Sequence, residues 1–194
     1  MSIDLSKIRL CIFDVDGTLV TTKSGATFRE SADDWQWLPG RLEKLRELDS
    51  QGVILAIATN QGGVAFGYLD YEEIYHELGE AAREANIRYV AMSPFHPDGT
   101  IEQYRIDKNH WRKPGPGMLL SAMKQYGIQP QDTLMVGDRY EDMNAAKAAG
   151  VDFLSAIQFF GDEIDPTRDY AEEGTVVYPG YVSPYEFQRD EKHF

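Results

Sequence analysis

The chain has a single cysteine, Cys11, among its 194 residues. One cysteine excludes an internal disulfide, and Cys11 stands inside an apolar run, where simple packing is the expected role. The sequence also lacks a long apolar run, and residues 1–6 do not have the pattern of a signal peptide. These absences predict a cytoplasmic protein without a membrane partner.

Basic residues are scarce: 19 Lys and Arg stand against 32 Asp and Glu, for a net charge of -13. A negative charge of this size works against a broad electrostatic surface for nucleic acid. It still allows a local basic patch, or a metal that supplies positive charge inside a site. The sequence indicates no obligate protein partner.

The remaining composition is ordinary for a globular protein, with 42% hydrophobic and 26% charged residues. The length fits one domain. We expect a single domain over residues 1–194, with its motifs inside 8–155 and an acidic C-terminal extension over 159–194. Within the extension, the pattern predicts an edge strand at 175–178 and a helix start at 183–187.

Residues 8–20 read Ile-Arg-Leu-Cys-Ile-Phe-Asp-Val-Asp-Gly-Thr-Leu-Val, and their apolar start predicts a buried strand. The run ends in two carboxylates, Asp14 and Asp16. In open α/β sheets ligands bind beyond the carboxyl ends of the strands, where these carboxylates would lie. Carboxylates there are costly unless they are paired, and a divalent cation is the natural partner. We therefore expect Asp14 to be a nucleophile, Asp16 an acid/base, and the pair a magnesium site.

Strand and helix patterns alternate along the rest of the chain, which is typical of an α/β fold with a Rossmann-like, doubly wound parallel sheet. Residues 21–37 have no clean period and predict a flap with a turn at Ser24 and Gly25. Further buried strands are predicted over 53–59, 88–93, 133–136 and 151–155, and helices over 70–85, 116–126 and 140–149. Leucines at 42, 45 and 48 predict one more helix, and residues 95–113 form a long loop.

Polar side chains follow the predicted strands, and a parallel sheet brings strand ends to a common edge. The candidates are Asp14, Asp16, Thr59, Asn60, Lys113, Asp138 and Asp142. Each type has a role in phosphoryl transfer. A carboxylate attacks phosphorus, magnesium offsets the repulsion between the anions, and hydroxyl and ammonium groups hold phosphoryl oxygens.

Four runs in this order resemble the four motifs of the haloacid dehalogenase (HAD) superfamily: Asp-Val-Asp-Gly-Thr-Leu-Val, Ala-Thr-Asn-Gln-Gly-Gly, Arg-Lys-Pro-Gly-Pro-Gly-Met and Val-Gly-Asp-Arg-Tyr-Glu-Asp-Met. The set resembles the subfamily III phosphatases, whose third motif is also Arg-Lys-Pro. The resemblance implies the HAD fold. The short spacings between motifs imply a minimal cap, with the flap as its only part.

The resemblance also implies a role for each matching residue. Asp14 matches the nucleophile and a magnesium ligand. Asp16 matches the general acid/base, and its backbone carbonyl matches a further metal ligand. Thr59, with Asn60 beside it, matches the phosphate-binding position, and Lys113 matches the charge-neutralising lysine.

The last motif supplies the remaining acids. Asp138 matches the metal-binding acid, and Asp142 matches a second acid that binds through water. The alternative for Asp142 is an ordinary acid in the first turn of a helix, where negative charge is favoured. Plainer alternatives also exist for Thr59, as a strand end, and for Lys113, as a solvated loop charge.

The region of the third motif resembles histidinol-phosphate and heptose-bisphosphate phosphatases, whose loop holds zinc with Cys and His. The positions where Cys or His would be needed hold Ser93, Phe95, Asn109 and Trp111. His96 and His110 alone cannot complete a tetrahedral site. We expect no structural zinc.

The flap points to a different substrate. The run Thr-Leu-Val-Thr-Thr-Lys-Ser-Gly-Ala-Thr-Phe and the pair Asp34-Trp35 are similar to the phosphatase domain of polynucleotide kinase/phosphatases, which removes 3′-phosphates from DNA ends. The alternative is that these residues only pack the flap. A basic and aromatic cluster would either receive a nucleotide or be solvated: Tyr104, Arg105, Lys108, Trp111, Arg112 and Lys113.

The sequence thus predicts a magnesium-dependent phosphomonoester hydrolase that acts through an aspartyl-phosphate on Asp14. A polynucleotide 3′-phosphate and a small phosphorylated metabolite, of sugar or histidinol type, are both open as substrates. The alternative class is a phosphate-binding protein that keeps the fold without turnover.

Overall fold

The computed structural model describes residues 4–106 and 110–162. The strands in this part are β1 (Leu10–Phe13), β2 (Val20–Thr21), β3 (Gln36–Trp37), β4 (Ile54–Asn60), β5 (Tyr89–Ser93), β6 (Thr133–Gly137) and β7 (Asp152–Ser155). Five of them form one sheet in the order β5-β4-β1-β6-β7. Every pair in this sheet is parallel, so the strand ends meet at one edge.

The helices of the described residues cover both faces of the sheet. They are α1 (Arg41–Ser50), α2 (Gly63–Phe66), α3 (Tyr71–Glu84), α4 (Gly117–Tyr126), α5 (Tyr140–Ala149) and α6 (Ala156–Phe160). Short 3-10 helices lie at Leu5–Lys7, Glu102–Tyr104 and Pro130–Asp132. None of these helices is long and apolar enough to cross a bilayer.

The core has two layers, separated by the sheet. Alternate residues of β1 point to opposite sides, so Phe13 packs with Leu45 and Leu78 of α1 and α3. Ile12 packs on the other side with residues of α4 and α5. All four β1 residues are buried, as expected for the central strand of a sheet covered on both faces. The predicted doubly wound α/β fold is confirmed.

The predicted elements agree with the structure to within one or two residues. The Asp70 carboxylate caps α3 by accepting hydrogen bonds from the backbone N–H groups of Glu72 and Glu73, at 2.9 and 3.1 Å. The helices α2 and α6 were not predicted. With four and five residues, they are too short to show a helical period.

The flap is a small unit above the carboxyl edge of the sheet. Its ends pair as the antiparallel strands β2 and β3. The Asp34 carboxylate accepts hydrogen bonds from the backbone N–H groups of Ser24 and Glu30, at 2.8 and 3.1 Å, and from the Ser24 hydroxyl at 2.7 Å. Trp35 donates its indole N–H to Glu77 at 2.9 Å. Asp34 and Trp35 therefore hold the flap in shape and attach it to α3.

The last part of the chain that the structure describes is tied back to the core. Arg41 forms an ion pair with Asp162 and lies over the ring of Phe160 at 3.9 Å. The same guanidinium donates a hydrogen bond to the carbonyl of Thr18 at 2.9 Å, beside the first motif. The strand predicted at 175–178 and the helix start predicted at 183–187 lie outside the described residues.

Candidate active site

A cavity of about 760 Å³ opens at the carboxyl edge of the sheet, below the flap. β1, β4 and β6 end at its floor, and the loop before α4 closes one side. All of the residues selected from the sequence line this cavity: Asp14, Asp16, Thr59, Asn60, Lys113, Asp138 and Asp142. The topology therefore brings together residues that are distant in the sequence.

The ammonium of Lys113 lies at the centre of the site. It donates hydrogen bonds to Asp14 Oδ1 and to the carbonyl of Ala58, each at 2.6 Å, and it forms an ion pair with Asp142 Oδ1 at 2.6 Å. Three acceptors match the three hydrogens of an ammonium group. Burial alone would lower the pKa of Lys113, but the two carboxylates outweigh burial and raise it. Lys113 therefore carries a fixed positive charge.

The backbone of Lys113 is held by Asn60. The Asn60 side chain donates to the Lys113 carbonyl at 2.9 Å and accepts from the Lys113 N–H at 3.0 Å. The motif predicts a phosphate-binding role for Asn60, but both ends of its side-chain amide are engaged here. This contact shows that the amide positions the lysine, and the phosphate-binding role of Asn60 stays a prediction.

Three buried carboxylates meet beside this lysine. Asp14, Asp138 and Asp142 each place one oxygen within 4.8 Å of the others. Burial and the nearby carboxylates raise the pKa of Asp14 to about 6, against the lowering effect of Lys113. The same two causes raise the pKa of Asp138 well above its usual value. No Lys, Arg or His in residues 4–106 and 110–162 forms an ion pair with Asp138, so a bound cation would relieve the repulsion.

Asp142 lies in a helix first turn, as one alternative from the sequence expects, and it also belongs to the acidic cluster, while its role toward a metal stays a prediction. It lies in the first turn of α5, where its Oδ2 accepts hydrogen bonds from the N–H groups of Asp138 and Arg139, at 3.1 and 3.0 Å. Its Oδ1 faces Lys113. Both oxygens are thus engaged by the protein, which agrees with an indirect contact to a metal through water.

The side chain of Asp16 points away from the other acids and toward the flap. Arg29 of the flap donates its Nε–H to Asp16 Oδ1 at 2.7 Å, and Gln61 donates to Asp16 Oδ2 at 2.7 Å. Gln61 also donates to the hydroxyl oxygen of Thr59 at 3.0 Å. Asp16 and Thr59 are therefore held side by side by one amide, and the Asp16 carboxylate is not part of the acidic cluster.

Two glycines are required for this packing. Gly17 has a φ of +87°, and a Cβ there would lie 2.3 Å from Asp138 Oδ2. A Cβ on Gly137 would lie 2.3 Å from Asp142 Oδ2. Between them, the buried hydroxyl of Thr18 donates to Asp138 Oδ1 at 3.3 Å.

Sequence reasoning missed three residues that shape the site: Thr18, Arg29 and Gln61. Thr18 and Gln61 stand inside recognised motifs, so their position carried a signal. Arg29 comes from the aperiodic flap, and nothing in its sequence context indicates that it reaches Asp16.

The predicted basic and aromatic cluster does not form one surface. The indole N–H of Trp111 donates to the carbonyl of Met92 at 2.9 Å, and the ring of Tyr104 stacks on Tyr71. Arg112 and Lys113 line the cavity, whereas Arg105 is exposed. Lys108 lies outside the described residues.

The known proteins that this chain resembles are phosphatases. The family described as Polynucleotide kinase 3 phosphatase matches residues 9–165. The chain is also similar to D-glycero-beta-D-manno-heptose-1,7-bisphosphate 7-phosphatases. The enzyme of Rhodopseudomonas palustris is 36% identical over 135 residues, which are 67% of this chain and 73% of that protein. The enzyme of Photorhabdus laumondii is 37% identical over 144 residues, or 71% and 74% of the two chains.

Solved structures agree with these relatives. The D,D-heptose 1,7-bisphosphate phosphatase from B. bronchiseptica, complexed with magnesium and phosphate, superposes with a TM-score of 0.63 at 26% identity. The superposition covers 95% of this chain and 100% of that one. A HAD-like phosphatase from Mesorhizobium loti has the same TM-score at 28% identity, over 74% of this chain and 69% of the other.

Proposed function

This chain belongs to the polynucleotide kinase 3 phosphatase family and is a HAD-type phosphatase, and from this premise we propose that it hydrolyses a small phosphomonoester through a phosphorylated Asp14, with magnesium as cofactor. One observation carries the proposal. The buried ammonium of Lys113 is shared by Asp14 and Asp142, beside a third buried carboxylate. A fixed cation next to a candidate nucleophile is what an incoming phosphate dianion requires.

Asp14 is the proposed nucleophile. Lys113 holds one of its oxygens at 2.6 Å, which fixes the carboxylate beneath the cavity. Attack on phosphorus forms a bond from an Asp14 oxygen and breaks the bond to the leaving alkoxide. The same ammonium offsets the charge of the aspartyl-phosphate.

Asp16 is the proposed acid/base. In the first step it gives its proton to the departing alkoxide, and in the second it takes one from the water that cleaves the acyl-phosphate. Arg29 and Gln61 each hold one of its oxygens, so its orientation over the cavity is fixed from two sides. A single carboxyl group thus returns to its starting state after one cycle.

Thr59 is the proposed phosphate ligand. Its hydroxyl oxygen already accepts a hydrogen bond from Gln61, so the hydroxyl hydrogen is available to donate to a phosphoryl oxygen. Asn60 contributes indirectly, because it holds the backbone of Lys113 in place.

The donor set fits magnesium, which prefers oxygen ligands. Asp14 and Asp138 would bind it directly, Asp142 through water, and the backbone carbonyl of Asp16 would add a further ligand. When bound, magnesium supplies positive charge that neutralises the phosphate and keeps the carboxylates ionised. The buried carboxylate of Asp138 is the best support for a cation here, since burial and like charges raise its pKa.

A small substrate fits the site better than a polynucleotide end. The cavity of about 760 Å³ has the size of a typical small-molecule site. The relatives named above act on a sugar bisphosphate. A polynucleotide 3′-phosphate remains the second candidate because of the matched family. However, the flap residues that resemble the polynucleotide enzymes have structural contacts, as Asp34 and Trp35 show, and the net charge of -13 opposes DNA.

The proposal is tested by phosphate release from a generic aryl phosphate in magnesium, compared with the Asp14→Asn variant. We expect turnover in the native protein and a loss of at least about 10³-fold in the variant, because the nucleophile is removed. Asp98→Asn is the matched control, since the side chain of Asp98 is 84% exposed. It should behave as the native protein.

Turnover that survives in Asp14→Asn would contradict the assigned nucleophile. No phosphate release from aryl, sugar, histidinol or nucleotide phosphates, nor from a 3′-phosphorylated oligonucleotide, would instead favour a binding protein without turnover.

A further inference from the structure

We propose that Phe66 and Tyr68 form a stacking subsite at the mouth of the active-site cavity, which selects small phosphomonoesters whose alcohol part carries a planar aromatic ring such as a nucleobase. The inference rests on the proposed phosphatase function and specifies the leaving group of that reaction. It departs from the named relatives, whose sugar bisphosphate has no aromatic ring.

The two rings form a continuous surface. Phe66 ends α2, and Gly67, with a φ of +77°, reverses the chain so that Tyr68 follows on the same side. The ring centroids are 5.7 Å apart, with an angle of 15° between the planes. Tyr68 is 75% exposed although it lines the cavity. An exposed ring that is already aligned with a second ring can accept another planar group.

His96 borders this surface with its ring tilted by 50° to that of Phe66. Its ring lies 4.9 Å from that of Phe66, and its Nδ1 accepts a hydrogen bond from the N–H of Asp98 at 3.1 Å. Burial and the neighbouring guanidinium of Arg112 lower the pKa of His96. The lowered pKa favours the neutral form of the imidazole, which suits packing against another ring.

The subsite is supported from behind. The N–H of Ile101 donates to the carbonyl of Ala65 at 2.9 Å, and the hydroxyl of Thr100 donates to the carbonyl of Phe66 at 3.3 Å. A Cβ on Gly99 would lie 2.8 Å from that of Ala65, so the loop packs tightly against α2. The two rings therefore project from a turn that is already held in place. A ligand would not have to order this turn on binding, so binding loses less conformational entropy.

A further aromatic side chain stands on the flap. Phe28 lines the same cavity and is 71% exposed. The cavity thus has charged groups at its floor, for a phosphate, and aromatic residues near its opening. A ligand with a phosphate at one end and a planar ring at the other matches this distribution.

Charge limits the size of this ligand. The segment after Tyr68 enters α3, whose first turn exposes Glu72 and Glu73. A polynucleotide that continued along this surface would bring its phosphates against these carboxylates. The subsite therefore fits one ring of a nucleotide-sized ester.

The test compares two substrates that differ only by the ring: a nucleoside 5′-monophosphate and ribose 5-phosphate, with the nucleoside 3′-monophosphate alongside. We expect the native protein to prefer a nucleotide by about tenfold or more in kcat/KM, the size of one stacking contact. Tyr68→Ala should remove most of this preference by raising KM for the nucleotide. Turnover of ribose 5-phosphate should change less than about twofold, and Tyr68→Phe should keep the preference.

Tyr75→Ala is the matched control, because Tyr75 is 47% exposed on α3 and does not line the cavity. Equal turnover of ribose 5-phosphate and both nucleotides by the native protein would overturn the subsite and leave the proposed phosphatase function intact. A preference of more than about tenfold for a 3′-phosphorylated oligonucleotide over the mononucleotides would overturn the inference that the substrate is a small ester. If the protein turned over none of the phosphomonoesters, the proposed function itself would be overturned.

Discussion

At the scale of single residues, the buried ammonium of Lys113 allows two carboxylates to share one site. Lys113 is 2% exposed, and its three partners lie at the same distance of 2.6 Å. Removing Lys113 would leave the carboxylates of Asp14 and Asp142 buried without a cation. Such a change typically lowers the free energy of unfolding by about 3–5 kcal/mol. Asp138 has no such partner in the described residues, and this asymmetry supports the proposed metal site.

The raised pKa values of the acids predict a pH dependence in the metal-free protein. Burial and neighbouring carboxylates raise the pKa of Asp14 from 3.8 to about 6. The same causes raise the pKa of Asp138 well above its usual value. The folded state therefore binds protons more tightly than the unfolded state. The free energy of unfolding in a chelator should fall as pH rises from about 4 through 6. Magnesium should remove this loss, because it favours the ionised carboxylates.

Urea unfolding at pH 4.5, 6 and 7.5, with chelator and with magnesium, measures this effect. The variant Asp138→Asn separates the contribution of the buried acids from the effect that the net charge of the whole protein has on stability. Without metal, this variant should be more stable than the native protein above pH 6, and magnesium should stabilise it less. Equal stabilisation of both proteins by magnesium would contradict the assigned metal site.

Single residues also show how far sequence reasoning reaches. The motifs identified Asp14, Thr59 and Lys113, because their residue types and their places after strands have chemical meaning. The contact between Asn60 and Lys113 could not be read from the sequence, since the amide turns toward Lys113 only in the folded chain. Arg29 was not identified, because its contact with Asp16 depends on the path of the flap.

At the scale of elements, the flap brings a charged residue into the site. Arg29 has a side chain that is only 4% exposed, and it contacts both Asp16 and the carbonyl of Ala32, at 2.7 and 3.1 Å. The flap thus orients Asp16 from above, while Gln61 holds it from the residue that follows β4. Arg29 therefore positions the side chain that we propose as the acid/base, Asp16.

Arg29→Ala should lower kcat/KM, which reports the transfer of the phosphoryl group to Asp14, by about tenfold or more for an alkyl phosphate, because a misplaced Asp16 protonates the leaving alkoxide poorly. The same variant should affect 4-nitrophenyl phosphate much less, since that leaving group departs without protonation. The measurement is the ratio of kcat/KM for the two substrates, because this parameter does not include the later hydrolysis of the aspartyl-phosphate. Arg83→Ala, on a side chain that is 70% exposed, is the control. An equal loss for both substrates would indicate damage to the flap rather than to proton transfer.

Long elements were predictable and short ones were not. The helix α3 shows both a cap at Asp70 and a clear apolar period, and the buried strands form distinct apolar runs. The helix α2 has four residues, and its glycine argues against a helix. Its formation depends on packing against the loop after β5, through Ile101 and Gly99. That packing also creates the proposed stacking subsite, which the sequence therefore did not indicate.

At the scale of the whole molecule, one topological fact organises the site. β1, β4 and β6 are parallel neighbours, so three motifs that are far apart in the sequence open into one cavity. The sequence predicted this arrangement because alternating strands and helices favour a parallel sheet. It could not rank the substrates, because that depends on side chains around the cavity mouth.

The central claim is that phosphate passes through Asp14, and rapid acid quenching with a 32P-labelled substrate tests it most directly. The native protein should show a small amount of acid-stable label on the chain during turnover. With a labelled aryl phosphate, whose leaving group departs without protonation, Asp16→Asn should accumulate more label, because the base that activates water is lost, and Asp14→Asn should show none. Turnover without label on either the native protein or Asp16→Asn, or label that persists in Asp14→Asn, would contradict the account.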